Sequence, residues 1–204
     1  MKQKNIIYHL ARICVCTALG KERPLEKELK VALSDRISIT IIKEAILQCY
    51  LFAGFPRAIN GLWVLDNMIC REKYHTTNER KAPKKQFYKV GRKLCMKIYG
   101  GDYLPMMSNM KGLHPDIADW ILTEGYGKVL SRRILNTRTR ELLVVATLTA
   151  MGLWRQLPSH INGAINVGAK KREIEIVIQS ISNLINSRNA IMAKKILTDL
   201  DKSI

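Results

Sequence analysis

The chain is 204 residues long, with 47% hydrophobic and 25% charged side chains, a globular balance that excludes a disordered or collagen-like polymer and allows one large domain or two small ones. Lysine and arginine number 34 against 17 acidic residues, a formal charge of +17 that attracts anions, large or small. The longest apolar runs, such as 142–150 with Thr147 and Thr149 inside it, are too short to span a bilayer.

The basic start Met1-Lys2-Gln3-Lys4 leads into an apolar stretch broken by His9 and Arg12, with no small-residue cleavage site after it. No export signal is expected, and the chain reads as cytoplasmic. From there helical periodicity dominates. Residues 6–19 carry apolar positions at helical spacing and stop at Gly20. Pro24 suits the first turn of a short helix through Leu25, Leu29 and Leu33. Ser38 or Thr40 can cap a helix over 41–52, which the Gly54-Phe55-Pro56 turn separates from another over 57–68.

A basic linker follows, its excess concentrated between Arg71 and Lys97 and its Thr76-Thr77-Asn78 and Ala82-Pro83 acting as breakers. It reads as a solvated, lysine-rich connection. No zinc-finger spacing or aromatic RNA-binding motif accompanies the charge, so a nucleic-acid partner is not expected. Further helices are predicted over 87–98, ending at Gly100-Gly101, and from Asp116 to about Thr123, closed by Gly125 and Gly127. Next come 140–151, capped by Thr137 or Thr139 and ended by Gly152, and 160–167, opened by Leu157-Pro158-Ser159 and closed by Gly168. Residues 171–185 and 190–200 complete the chain. No alternating strand pattern appears, so the fold class is all-α.

Five cysteines, Cys14, Cys16, Cys49, Cys70 and Cys95, are odd in number and contain no CxxC pair. They read as reduced, mostly buried thiols, and no metal or cofactor is expected. An internal repeat is present: residues 30–42 align in apolar phase with 162–174, an offset of 132, and Pro24-Leu25 precedes the first segment much as Leu157-Pro158 precedes the second.

Several stretches resemble the carboxymuconolactone decarboxylase family, whose helical unit is shared with alkyl hydroperoxidase D. In the second half these are Ser131-Arg132-Arg133-Ile134-Leu135-Asn136-Thr137-Arg138-Thr139-Arg140-Glu141 and the run from Leu157-Pro158-Ser159-His160 to Glu173-Ile174. In the first half it is 41–60, with Ala53-Gly54-Phe55-Pro56-Arg57. The resemblance implies an all-helical tandem repeat: a first unit over 1–70, the basic linker over 71–90 and a second unit over 91–204. It also implies self-association, with a homotrimer as the two-unit equivalent of a hexameric ring.

The peroxidase branch of that family carries Cys-x-x-Cys-x-x-x-His with a glutamate upstream. On this chain the histidine falls on His160 and the glutamate on Glu141, nineteen residues earlier, while the two cysteine positions fall on Leu153 and Gln156. The proton-handling pair is kept and both redox sulfurs are absent, which argues against thiol-dependent peroxide reduction. In the first half the position matching His160 is Glu28, so the second half alone can hold the pair.

Decarboxylation of a small organic anion, a lactone or carboxylate, makes demands that this set can meet. Cations hold the substrate, donors stabilise the charge left as carbon dioxide departs, and an acid protonates carbon. His160 is the candidate acid and Glu141 its orienting partner. Arg132 and Arg140 can grip a carboxylate, or with Arg138 form a solvated helix start or interface ion pairs. Tyr126 between Gly125 and Gly127, and Arg57 with Phe55 beside the Gly54 turn, are candidate pocket residues; Trp120 and Trp154 read as core or interface. The expected activity is a carboxy-lyase; the alternative is a non-catalytic, oligomeric ligand-binding or scaffold member.

Overall fold

A computed structural model describes residues 2–69 and 83–201. Among them there is no strand, and the chain is all-α. The helices are α1 (Lys2–Leu19), α2 (Glu22–Ser34), α3 (Ile39–Gln48), α4 (Tyr50–Met68), α5 (Phe87–Tyr99), α6 (Tyr103–Leu113) and α7 (Pro115–Trp120), then a wide π-helical segment (Ile121–Leu130), then α8 (Thr137–Met151), α9 (Leu157–Asn166), α10 (Lys171–Ser180) and α11 (Ser187–Asp201).

Helix α8 forms the centre. Its residues from Thr139 to Ala150 are all buried, so it presents no polar face to water, and α1, α9, α10 and α11 pack around it. A helix with apolar side chains on every side is stable only when neighbours cover each face. Helix α1 lies directly against α8, with Leu10, Ala11, Ile13, Cys14 and Val15 all buried.

Helix boundaries and turns recur 132 residues apart. Helix α3 spans Ile39–Gln48 and α10 spans Lys171–Ser180. Lys21 N donates to Cys16 O and Leu153 N to Leu148 O; Ile37 N donates to Ala32 O and Ala169 N to Ala164 O. Backbone φ is positive at Gly20 and Gly152, and again at Arg36 and Gly168. These recurrences fall at the separation that the sequence alignment predicts. Two arginines tie the sets together reciprocally. Arg12 on α1 grips Glu28 at 2.6 and 2.8 Å and reaches Ser180 O and, at 2.8 Å, Asn183 just beyond α10. Arg140 on α8 reaches Gln48 at the end of α3 at 3.1 Å.

Several local expectations are corrected. The break expected at Gly54 is present, since Gly54 (φ 78°, ψ 166°) is non-helical and α4 is two helical pieces meeting there, and what the sequence missed is a further interruption at Cys49, whose own backbone stays right-handed helical. Asn136, not Thr137 or Thr139, caps α8, its side chain accepting from Thr139 N at 2.8 Å. Ser38 makes no side-chain cap bond. Helix α10 stops at Ser180 rather than running to 185. Helix α6 is an additional element that the periodicity did not predict, and Pro105 sits in its first turn, where a missing N–H costs nothing. Most of the expected linker, 70–82, lies outside the described residues, as do Cys70 and His75; residues 84–90 of it are helical.

Gly125 and Gly127 close no helix. Gly127 and Gly91 bring α5 and the π segment together backbone to backbone: a Cβ on Gly127 would lie 2.2 Å from Phe87 O, and one on Gly91 1.8 Å from Leu122 O. This contact sets Tyr126 against Tyr99, their ring centroids 6.2 Å apart.

A buried ion network links α3 to the start of α8. Glu44 accepts from Arg132 Nε at 2.9 Å and from Arg140 Nη2 at 2.8 Å. Burial alone would raise the Glu44 carboxyl, but the hydrogen bonds from Arg132 and Arg140 outweigh it and hold the group below its ordinary value. Because the folded carboxyl titrates below the unfolded one, its contribution to stability is complete above about pH 4.3 and drains away as pH falls through the folded value. Glu44→Gln should therefore destabilise the protein by about 3–5 kcal/mol at neutral pH, through two uncompensated guanidinium groups, and should flatten the acid limb of the stability profile. Urea unfolding at pH 7 and pH 3.5 reads both effects.

Candidate functional site

His160 and Glu141 meet. Glu141 lies in the first turns of α8 with no exposed surface, and His160 lies near the start of α9 at 7% exposure. The two helices are joined by a left-handed Gly152 turn and fold back on each other. His160 Nδ1 donates to Glu141 Oε2 at 2.9 Å, which leaves Nε2 as the ring nitrogen free of that bond. The close approach needs Gly163, one turn beyond His160: a Cβ there would stand 2.6 Å from Ile98 Cγ2 and 3.3 Å from Glu141 Oε2. The other carboxylate oxygen, Oε1, is buried without a hydrogen-bond partner among the described residues.

The histidine lines a cavity of about 780 Å³. Tyr126 and Tyr99 stand in the same wall, with Arg155, Gln156 and Ser159 on the approach to α9. The far wall belongs to α6, α7 and the π segment, and Trp120 stands on it, 57% exposed. Burial pushes the Tyr126 hydroxyl well above its ordinary range, helped by Tyr99 and Glu141, and burial likewise raises Tyr99. Both remain protonated donors at neutral pH. Phe52 and Tyr99 meet the His160 ring edge-on, at centroid distances of 6.2 and 6.3 Å.

The other residues singled out from sequence stand elsewhere. Arg132 and Arg140 bind Glu44, and neither lines the cavity. Arg57 runs over Gly20, where an added Cβ would meet its guanidinium, and Phe55 stacks on Tyr50 at 4.6 Å. Arg138 pairs with Glu173. His114 caps α7, its Nδ1 accepting from Asp116 N at 3.1 Å. His9 bonds Asp35 at 2.9 Å. In place of those arginines the cavity has Arg155, exposed on its rim, and nothing in its sequence context separates it from other surface cations.

Cys14, Cys16, Cys49 and Cys95 are buried and unpaired with one another. Burial pushes Cys16 and Cys95 up to about 12 and Cys14 well above its ordinary value. Such thiols carry almost no thiolate at neutral pH. Among the described residues no three His, Cys, Asp or Glu side chains gather as a metal site would require, and no helix is long and apolar enough to cross a membrane.

Residues 115–191, from α7 into α11, match the carboxymuconolactone decarboxylase family. Among curated relatives, peroxisomal protein 2 of Schizosaccharomyces pombe is 28% identical over 134 residues, which cover 65% of this chain and 63% of the relative. Peroxisomal protein 2 of Saccharomyces cerevisiae is 26% identical over 164 residues, covering 66% and 57%. The 4-carboxymuconolactone decarboxylase of Acinetobacter baylyi is 29% identical over 94 residues, covering 46% and 70%. The chain thus spans less than two thirds of either yeast relative.

Gly163 gives a direct handle on this geometry. Gly163→Ala places a methyl against Ile98 and the Glu141 carboxylate, and it should cost about 1–3 kcal/mol of stability while separating Glu141 from His160. Thermal unfolding reads the first effect. The histidine side-chain nitrogen shifts read the second, and should move for His160 while those of His114, on an exposed helix start, stay in place.

Proposed function

We propose that the chain, whose residues 115–191 match the carboxymuconolactone decarboxylase family, is a decarboxylase-like enzyme acting on a small organic anion, a lactone or carboxylate. The observation that carries this reading is His160 in the wall of an open cavity, held from behind by the buried Glu141 at 2.9 Å. With Nδ1 committed to the carboxylate, Nε2 is the nitrogen that exchanges protons with a bound molecule. The substrate's carbon–carboxylate bond breaks, its electron pair stays on carbon and carbon dioxide leaves. That charge spreads onto a neighbouring carbonyl, where the neutral hydroxyls of Tyr126 and Tyr99 are the nearby donors. The imidazolium Nε2–H then protonates carbon, and the neutral ring recovers its proton from water. Arg155 takes the anion-holding role that the sequence reading gave to Arg132, Arg140 and Arg57.

A second reading, a ligand-binding member without turnover, has one specific observation behind it. At the first-half positions matching Glu141 and His160 stand His9 and Glu28, tied instead to Asp35 and Arg12, so the fold tolerates loss of the pair. Thiol-dependent peroxide reduction is not part of the proposal, since Leu153 and Gln156 bear no sulfur and the four described cysteines are buried. The cytoplasmic reading stands beside relatives named as peroxisomal proteins, and cell fractionation separates the two.

His160→Gln keeps most of the side-chain volume and removes the titrating nitrogen. Carbon dioxide release from a substrate set of lactones and carboxylates should fall about 10²–10⁴-fold, with the helical circular dichroism unchanged. An unchanged rate rejects the assignment, and binding without release in the unaltered protein favours the second reading.

The proposal includes self-association as a homotrimer. Phe55, Ile59 and Trp63 form an exposed stripe one turn apart along α4, at 61%, 43% and 63% exposure, an apolar surface that a second copy would cover. Light scattering should give three times the monomer mass, and Trp63→Glu should reduce it. A stable monomer at micromolar concentration rejects the trimer.

A further inference from the structure

The cavity is divided by chemistry. Arg155, Ser159 and His160, around the start of α9, make one end polar. The wall opposite is built from α6 and α7, where Met110, Leu113 and Ile117 carry no charge, and continues into Trp120. The volume of about 780 Å³ falls in the range that encloses a drug-sized ligand. A small dicarboxylated lactone would leave most of that apolar wall wet.

The charges point the same way. Among the described residues Arg155 is the arginine that lines the cavity. Arg132 and Arg140 are engaged by Glu44, and Arg12 by Glu28. Asp102 and Glu124 also line it, so a second carboxylate on the ligand would meet like charge and no free cation. Glu124 is already held by Lys128 at 2.7 Å, which leaves that lysine committed.

We infer that this site takes an amphipathic monoanion. One carboxylate sits at Arg155 beside His160, and an apolar chain or ring system lies along α6 and α7. The inference rests on the decarboxylase-like reading for its reaction and on the cavity alone for its ligand class. It differs from the small, doubly charged lactone that the name of the bacterial relative suggests.

The test is calorimetric titration of the full chain with hexanoate, octanoate and decanoate, each below its micelle-forming concentration, and with adipate. Affinity should rise about fourfold for each added methylene, as burial of that surface requires. Adipate should bind about tenfold more weakly than hexanoate, the counterpart of about 1.4 kcal/mol. Arg155→Gln should weaken every monoanion by about tenfold, and Met110→Glu should weaken decanoate far more than hexanoate. Leu113→Gln provides the same wall test in a second variant should Met110→Glu fail to fold. Affinity independent of chain length, or adipate binding as tightly as hexanoate, overturns the inference. So does an absence of binding combined with a Leu113→Glu variant that dissociates an assembly, because a second copy would then be the occupant. A chain-length gradient without carbon dioxide release keeps the ligand class and rejects decarboxylation. Release from a small dicarboxylate with no such gradient does the reverse.

Discussion

A carboxylate without solvent exposure, in a helix buried on all sides, is the constraint around which the second half is built. A charge removed from water is costly unless partnered, and Glu141 has a single partner within reach, the His160 ring at 2.9 Å. Helix α9 must therefore begin where it does, folded back from α8 through Gly152, and Gly163 must lack a side chain so that the two helices can close on the pair. The same closure holds the ring at the edge of the cavity. What stabilises the carboxylate and what positions a proton donor are one interaction.

The buried charges elsewhere do different work. Glu44 with Arg132 and Arg140, and Arg12 with Glu28, sit where the two sets of helices meet, and each arginine reaches across to the other set. These pairs fix how α1 and α8 lie together and leave none of those guanidinium groups for a ligand. Position 28 is the counterpart of position 160, and position 9 of position 141; there a glutamate and a histidine each bind a different neighbour. One set of helices thus spends its polar groups on assembly, and the other keeps a buried glutamate behind a histidine that faces a cavity. That cavity is completed by α5, α6, α7 and the π segment, between the two sets.

The sequence was legible where local rules govern. Helical periodicity, the Gly20 and Gly152 stops and the nineteen-residue spacing of Glu141 and His160 all correspond to features of the fold. It was misleading where a residue type has two uses. Gly125 and Gly127 look like helix terminators, but Gly127 allows α5 and the π segment to touch. Arg132 and Arg140 look like anion grips because charge and spacing are visible in a sequence, whereas Glu44, ninety-odd residues away and buried in α3, is not visible as their partner. Arg155 was invisible for the opposite reason: only the packing of α6 and α7 turns that stretch of surface into a cavity rim.

Glu141 fixes the His160 ring with Nδ1 protonated and Nε2 turned away from the carboxylate. Nitrogen-15 spectra of histidine-labelled protein across the pH range of stability test it most directly. In the neutral ring the proton should reside on Nδ1 and the lone pair on Nε2, and Glu141→Gln should remove this preference. A neutral His160 carrying its proton on Nε2 would place a lone pair against the carboxylate and contradict the account at its root.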